Sequence, residues 1–239
     1  MTGVELRDIG VTLAGRPVLQ GVSARLEEPR VGIVGRNGSG KTTLARVIAG
    51  LVAPDAGQAR IDGADMAADR RAALATVGII FQNPDHQIIF PTVLEEIAFG
   101  LTQQGQRPRA AEAAARAMLD RFGKGHWAPA ATHSLSQGQK QLLCLMAVLA
   151  MRPRVVVMDE PFSGLDIPTR LQLMRYLDGI AAQVVMITHD PGQLRGFDRI
   201  LWLEGGRLIA DGPPDAVLPR FEAQMREWGG LDDLAHLAG

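Results

Sequence analysis

Four short apolar runs constrain this chain more than anything else in it. Val31-Gly32-Ile33-Val34, Val77-Gly78-Ile79-Ile80-Phe81, Val155-Val156-Val157-Met158 and Val184-Val185-Met186-Ile187 are rich in branched residues and lack polar alternation. A strand with one wet face alternates apolar and polar residues. Continuous runs need a sheet covered on both faces, which parallel strands with crossover helices supply. Leu44 to Leu51, Thr169 to Ile180 and Gln193 to Phe197 carry patterns suited to such helices, and the expected class is α/β. The start of the chain differs: Val4 to Val11 and Pro17 to Leu26 read as an antiparallel pair around Ala14-Gly15-Arg16. Ile200 to Leu203 and Arg207 to Ala210 flank Glu204-Gly205-Gly206 as a second hairpin. Residues 83–150 are alanine-rich and strand-poor, with a helix expected near Arg109 to Arg121. The organisation expected is one domain over 1–239. In it, 1–82 and 151–215 form the α/β core with its β portion, 83–150 an inserted helical subdomain, and 216–239 a helical tail.

Composition narrows the class. A chain of 239 residues can bury a core without covalent staples. Its only cysteine, Cys144, permits no internal disulfide. Lys plus Arg number 25 and Asp plus Glu 26, a net charge of −1, which argues against a nucleic-acid partner. The longest apolar run, Leu142 to Met151, spans ten residues, too few to cross a bilayer. Glu5, Arg7 and Asp8 interrupt any leader-like core. A soluble cytosolic globular chain is expected.

Directly after the first apolar run stands Gly35-Arg36-Asn37-Gly38-Ser39-Gly40-Lys41-Thr42, followed by Thr43 and a helical pattern. Glycines at these spacings let successive N–H groups turn inward around a phosphate chain at a helix start. Lys41 is placed to reach the β- and γ-phosphates, and the Thr42 hydroxyl to ligate Mg²⁺. Farther on, Val155 to Met158 ends in Asp159-Glu160. Beside the glycine-rich loop, this strand end would put Asp159 near Mg²⁺ and Glu160 near the γ-phosphate. Leu135-Ser136-Gln137-Gly138-Gln139 precedes the longest apolar helix pattern. Ser136 and Gly138 there can present a hydroxyl and backbone N–H groups to a phosphate, or Ser136 can simply cap the helix. A second phosphate-directed helix start is redundant for one nucleotide unless another chain completes the site.

With these motifs in order, the chain resembles the nucleotide-binding subunits of ABC transporters over nearly its whole length. Lys41 sits in the Walker A loop, Asp159 and Glu160 at the Walker B end, and Leu135 to Gln139 at the signature. Gln82 stands at the Q-loop, Ser163-Gly164-Leu165-Asp166 at the D-loop and His189 at the switch position. Phe81-Gln82-Asn83-Pro84-Asp85-His86-Gln87 and Pro91 to Gly100 are similar to ATPases of energy-coupling-factor importers, with a lean to the biotin branch, then cobalt and nickel.

The resemblance implies an ATP- and Mg²⁺-dependent ATPase, peripheral on the cytoplasmic face of the inner membrane. Its implied partners are a transmembrane coupling protein, a membrane substrate-capture protein and a second ATPase chain, identical or related, met head to tail. Each nucleotide would lie between Gly35, Asn37, Gly38, Ser39, Gly40, Lys41, Thr42, Thr43 and Asp159 of one chain and Ser136 and Gly138 of the other. Glu160 would polarise the attacking water, His189 hold the γ-phosphate and water, and Gln82 sense the γ-phosphate and Mg²⁺. The alternative is a soluble ABC ATPase of iron–sulfur assembly.

Three positions depart from the family pattern. Gln137 replaces a usual glycine, with the expectation that a residue unable to adopt positive φ loosens phosphate approach. Leu142 follows Lys140-Gln141 where many relatives carry Arg, and Leu13 falls where an aromatic ring usually stacks on adenine. His86, His126, His133 and His236 show no metal-ligand spacing. Phe221, Met225 and Trp228 follow helical spacing and read as core packing.

Overall fold

Two-residue chain reversal at Ala14 (φ 48°) and Gly15 (φ 76°) matches the right-handed twist of antiparallel strands, and it joins Val4–Leu13 (β1) to Arg16–Leu26 (β2). The computed structural model describes residues 3–229. On the other edge of β1 lies a strand not expected from the sequence, Ala56–Ile61 (β4), followed by Ala64–Asp65 (β5), giving the order β2-β1-β4-β5. Only Ala59 and Ile61 of β4 face the core, so its sequence lacks a visible apolar alternation. A short helix, Arg70–Thr76 (α2), then starts on the Asp69 side chain, which accepts from the Ala72 N–H at 2.9 Å.

The second sheet contains the four apolar runs. It comprises Arg30–Val34 (β3), Val77–Ile80 (β6), Val155–Asp159 (β7), Gln183–Ile187 (β8), Arg199–Glu204 (β9) and Arg207–Gly212 (β10), in the order β10-β9-β3-β8-β7-β6. All neighbours are parallel except the β9–β10 hairpin. Every residue of β7 and β8 is buried, as burial on two faces demands. Register pairs Ile33 with Ile187 and Ile187 with Asp159. The residues that follow β3, β7 and β8 therefore emerge side by side at one end of the sheet.

Lys41–Ile48 (α1) buries Leu44, Val47 and Ile48 between the two sheets. Residues 83–150 hold Val93–Gln103 (α3), Pro108–Arg121 (α4) and Gln137–Ala150 (α5), packed through Ile97, Leu101, Ala115, Leu119 and Met146. Cys144 is buried in α5; loss of solvent pushes its thiol up to about 12, so it packs as a small hydrophobe. Ile167–Asp178 (α6) starts on Asp166, whose carboxylate accepts from the Thr169 N–H.

The helix expected at Gln193 to Phe197 is not formed. A 3₁₀ turn, Pro191–Leu194, takes its place, opened by Asp190 accepting from the Gly192 N–H. The chain must enter β9 at Arg199, which leaves too few residues to repay nucleation of an α-helix. The tail forms Pro214–Gly229 (α7), with Phe221 buried edge-on against Trp202, ring centroids 5.5 Å apart. The expected tail beyond Gly229, with His236, lies outside the described residues.

Candidate active site

Gly35 leaves β3 where a side chain cannot fit: a Cβ there would lie 2.0 Å from the Leu203 carbonyl oxygen of β9. The loop therefore curls tightly and delivers Lys41 to the start of α1. Lys41 Nζ donates to the carbonyls of Gly35 and Arg36, each at 2.7 Å. Burial lowers the Lys41 pKa, opposed by the charges of Glu160 and Asp159. Its two hydrogen-bond acceptors are neutral carbonyls, so the ammonium has no bonded carboxylate to displace when an anion arrives. Ser39 Oγ is buried with no hydrogen-bond partner. An orphaned hydroxyl and a desolvated ammonium in one curled loop fit a phosphate chain. Asn37, Gly38 and Thr42 of this loop are exposed, and Thr43 is half-buried.

Thr42 Oγ1 donates to Asp159 Oδ1 at 3.1 Å. Burial raises the Asp159 pKa, with the Thr42 hydrogen bond acting against it. These two oxygens form a hard-donor pair suited to a divalent cation. Among the described residues no group of three or more His, Cys, Asp and Glu is arranged to hold a metal. A cation here would draw its other ligands from phosphate and water, as Mg²⁺ does.

One residue on, Glu160 adopts φ 49°, a left-handed conformation costly for a side chain with Cβ. The turn is held by Glu160 N–H donating to the Ile187 carbonyl at 2.9 Å. His189 Nδ1 lies 2.8 Å from Glu160 Oε2. With an ionised carboxylate as partner, Nδ1 must carry the proton, which leaves Nε2 an acceptor in neutral imidazole and a donor only in imidazolium. Neutral His189 can thus orient Glu160 or, after leaving it, turn an N–H elsewhere. Thr188 anchors this segment, its N–H donating to the Ile33 carbonyl at 3.1 Å.

The structure thus brings Lys41, Thr42, Asp159, Glu160 and His189 to one sheet end. Gln82 follows β6 on the same edge and donates from Nε2 to Ser163 Oγ at 3.4 Å. Ser136 and Gly138 lie elsewhere, at the start of α5 against α6. Ser136 caps α5, its hydroxyl accepting from the Gln139 N–H while Gln139 Oε1 accepts from the Ser136 N–H at 2.8 Å. Gln137 occupies the first turn of α5 with helical backbone and is not among the positive-φ residues. The expectation that it needs φ > 0 is overturned: the helix begins at this position. Leu13 ends β1 opposite Arg16, 45% exposed.

Sequence reasoning missed a clamp on the glycine-rich loop. Arg36 Nε donates to Glu204 Oε1 at 3.0 Å, and its guanidinium stacks 4.1 Å from the ring centroid of Trp228 in α7. The helical spacing of Trp228 was the available signal, and it pointed only to packing.

A family model described as ABC transporter matches residues 19–163. The chain is 53% identical to the biotin transport ATP-binding protein BioM of Rhodobacter capsulatus, over 95% of this chain and 97% of that one. It is 35% identical to the energy-coupling factor transporter ATP-binding protein EcfA1 of Lactobacillus delbrueckii subsp. bulgaricus, over 91% of this chain and 79% of the other. Among solved structures, cbiO1 of Clostridium perfringens, part of the ABC transporter complex cbiONQ, superposes with a TM-score of 0.79 at 26% identity, covering 98% and 97% of the two chains.

Proposed function

The chain belongs to the ABC transporter family and is an ATP-hydrolysing subunit of the energy-coupling-factor type, and from that premise we propose that it drives biotin uptake. The observation that carries the substrate is the 53% identity to a biotin transport ATP-binding protein across 95% of this chain. The same likeness disfavours the iron–sulfur assembly reading. No helix of the described residues is long and apolar enough to cross a membrane. The chain would act peripherally, at the inner face of the membrane, on a transmembrane coupling protein and a substrate-capture protein.

The chemistry follows from the cluster at the sheet end. Lys41 Nζ exchanges its carbonyl acceptors for β- and γ-phosphate oxygens, and the loop N–H groups and Ser39 hydroxyl complete the cradle. Thr42 and Asp159 would hold Mg²⁺, which when bound neutralises charge on the transferring phosphoryl group. Glu160 accepts a proton from the attacking water. His189 positions that carboxylate through Nδ1 and, once charged or turned, donates to the γ-phosphate. Gln82, bonded to Ser163, is placed to relay this state toward α3 and α5. Ser136 and Gly138 would complete the site of a second chain docked head to tail, identical or related, which gives the phosphate-directed start of α5 a purpose beyond capping.

Glu160→Gln tests the shared-site mechanism. Loss of the general base should slow turnover about 10²- to 10⁴-fold, while ATP binding persists and light scattering detects an ATP-dependent dimer. A variant that remains monomeric at saturating ATP sinks the head-to-tail site. Labelled-biotin uptake by cells expressing the chain with its membrane partners tests the substrate; uptake unaffected by Glu160→Gln would remove biotin from the reading.

A further inference from the structure

A cavity of about 340 Å³ opens at the end of the central sheet opposite Lys41. Its walls include Arg152, which precedes β7, and Ile180, which precedes β8. Those strands are five residues long, so about 16 Å of backbone separates the cavity from Asp159 and His189. It is a different place from the nucleotide site, though it shares two strands with it.

The floor is aromatic. Phe122, which caps α4, and Tyr176 of α6 meet with ring centroids 5.0 Å apart, tilted by 44°. The rim carries Arg121, Arg152 and Arg175, contributed by α4, the segment after α5, and α6. All three are exposed, and among the described residues none makes a side-chain hydrogen bond or ion pair. Arginines at helix C-termini ordinarily offset the dipole. None of the three guanidinium groups donates to a terminal carbonyl, and the carboxylates in the last turns of α4 and α6, Asp120 and Asp178, are not part of the cavity lining. Arg152 also adopts φ 52°, a conformation that glycine or asparagine would take at less cost. This residue directly follows Met151, the C-cap of α5, and its left-handed backbone ends that helix while its side chain stands at the opening.

We propose that the cavity binds a small organic anion in which a phosphate is joined to a flat apolar body. Guanidinium forks match phosphate oxygens in pairs. A phosphate monoester, close to two negative charges at neutral pH, offers these three unpaired guanidinium groups more charge and more acceptor oxygens than one carboxylate. The Phe122–Tyr176 floor with Ile180 accepts the apolar body, and the volume falls within the span of small-molecule sites.

Tyr176 is the only tyrosine in the chain. The full chain labelled with 3-fluorotyrosine therefore gives one fluorine resonance, and that resonance reports on this cavity. With ADP saturating the nucleotide site, titration with 1-naphthyl phosphate should shift it saturably, with one equivalent bound by calorimetry. Affinity should fall at least tenfold for Arg152→Gln/Arg175→Gln, and 1-naphthol or inorganic phosphate alone should bind at least tenfold more weakly. No saturable shift, equal binding of 1-naphthol, or an unaffected double variant overturns the proposal. So does binding of phosphatidylglycerol vesicles through these arginines without binding of 1-naphthyl phosphate, which would make a lipid headgroup the ligand. Should the double variant fail to fold, the fluorine titration of the unaltered chain decides.

Discussion

The indole of Trp228 lies 4.1 Å from the guanidinium of Arg36, so the helix at the end of the described chain rests on the loop that holds Lys41. The Arg36 carbonyl accepts from Lys41 Nζ while its side chain pairs with Glu204. Loop shape and lysine position are thereby tied to α7. A cation–π contact at a half-exposed site contributes about 0.5–1 kcal/mol. Trp228→Ala should weaken ADP binding roughly 2- to 5-fold, with Trp228→Phe in between, measured by calorimetry. Unchanged affinity would mean that Glu204 alone fixes Arg36.

At Leu13 an aliphatic side chain stands exposed at the end of β1. If this is the adenine position, Leu13→Tyr adds a ring face and should tighten ATP by about 0.5–1.5 kcal/mol. Equal gains for ATP and GTP, or none, would place the base elsewhere.

Burial raises the Asp159 pKa above that of an unfolded chain. The folded state then binds more protons than the unfolded one between the two values, so stability falls as pH rises through that interval. Above it, the ionised carboxylate is a standing cost. Asp159→Asn should raise the melting temperature of the nucleotide-free chain at pH 7, by about 2–4 °C per kcal/mol recovered, while hydrolysis is lost. The gain should shrink on acidification and vanish only well below the ordinary carboxyl value of 3.8, where the group is protonated in both folded and unfolded chains. A gain that instead grew on acidification would refute the burial account.

Gly138 sits in the first turn of α5, where a Cβ would lie 2.3 Å from Thr169 Cγ2 in α6. Gly138→Ala gains about 1 kcal/mol of helix propensity but overpacks a contact at about 1–3 kcal/mol. The net expectation is destabilisation. Thr169→Ser removes the obstructing methyl, so Gly138→Ala should become neutral or stabilising in that background. A thermal-melt double-mutant cycle without coupling would free Gly138 from any packing role.

Much of the site was legible because its chemistry is written in contiguous residues. Gly35 to Thr43 is a strand exit, a curled loop and a helix start in sequence order, and Asp159-Glu160 ends a strand whose apolar run admits only a buried parallel position. The four runs likewise dictated a sheet covered on both faces, and that sheet places Lys41, Asp159 and His189 at a common end. Tertiary structure alone decided the rest. Strand β4 has too little apolar alternation to declare itself and exists because β1 offers it an edge. Gln193 to Phe197 has helical composition but is held to a 3₁₀ turn by the distance to β9. Arg36 meets Trp228, and Arg121, Arg152 and Arg175 share one opening, through contacts between distant segments. Periodicity reports which face of an element is buried; it carries no information about which remote side chain will be found against that face.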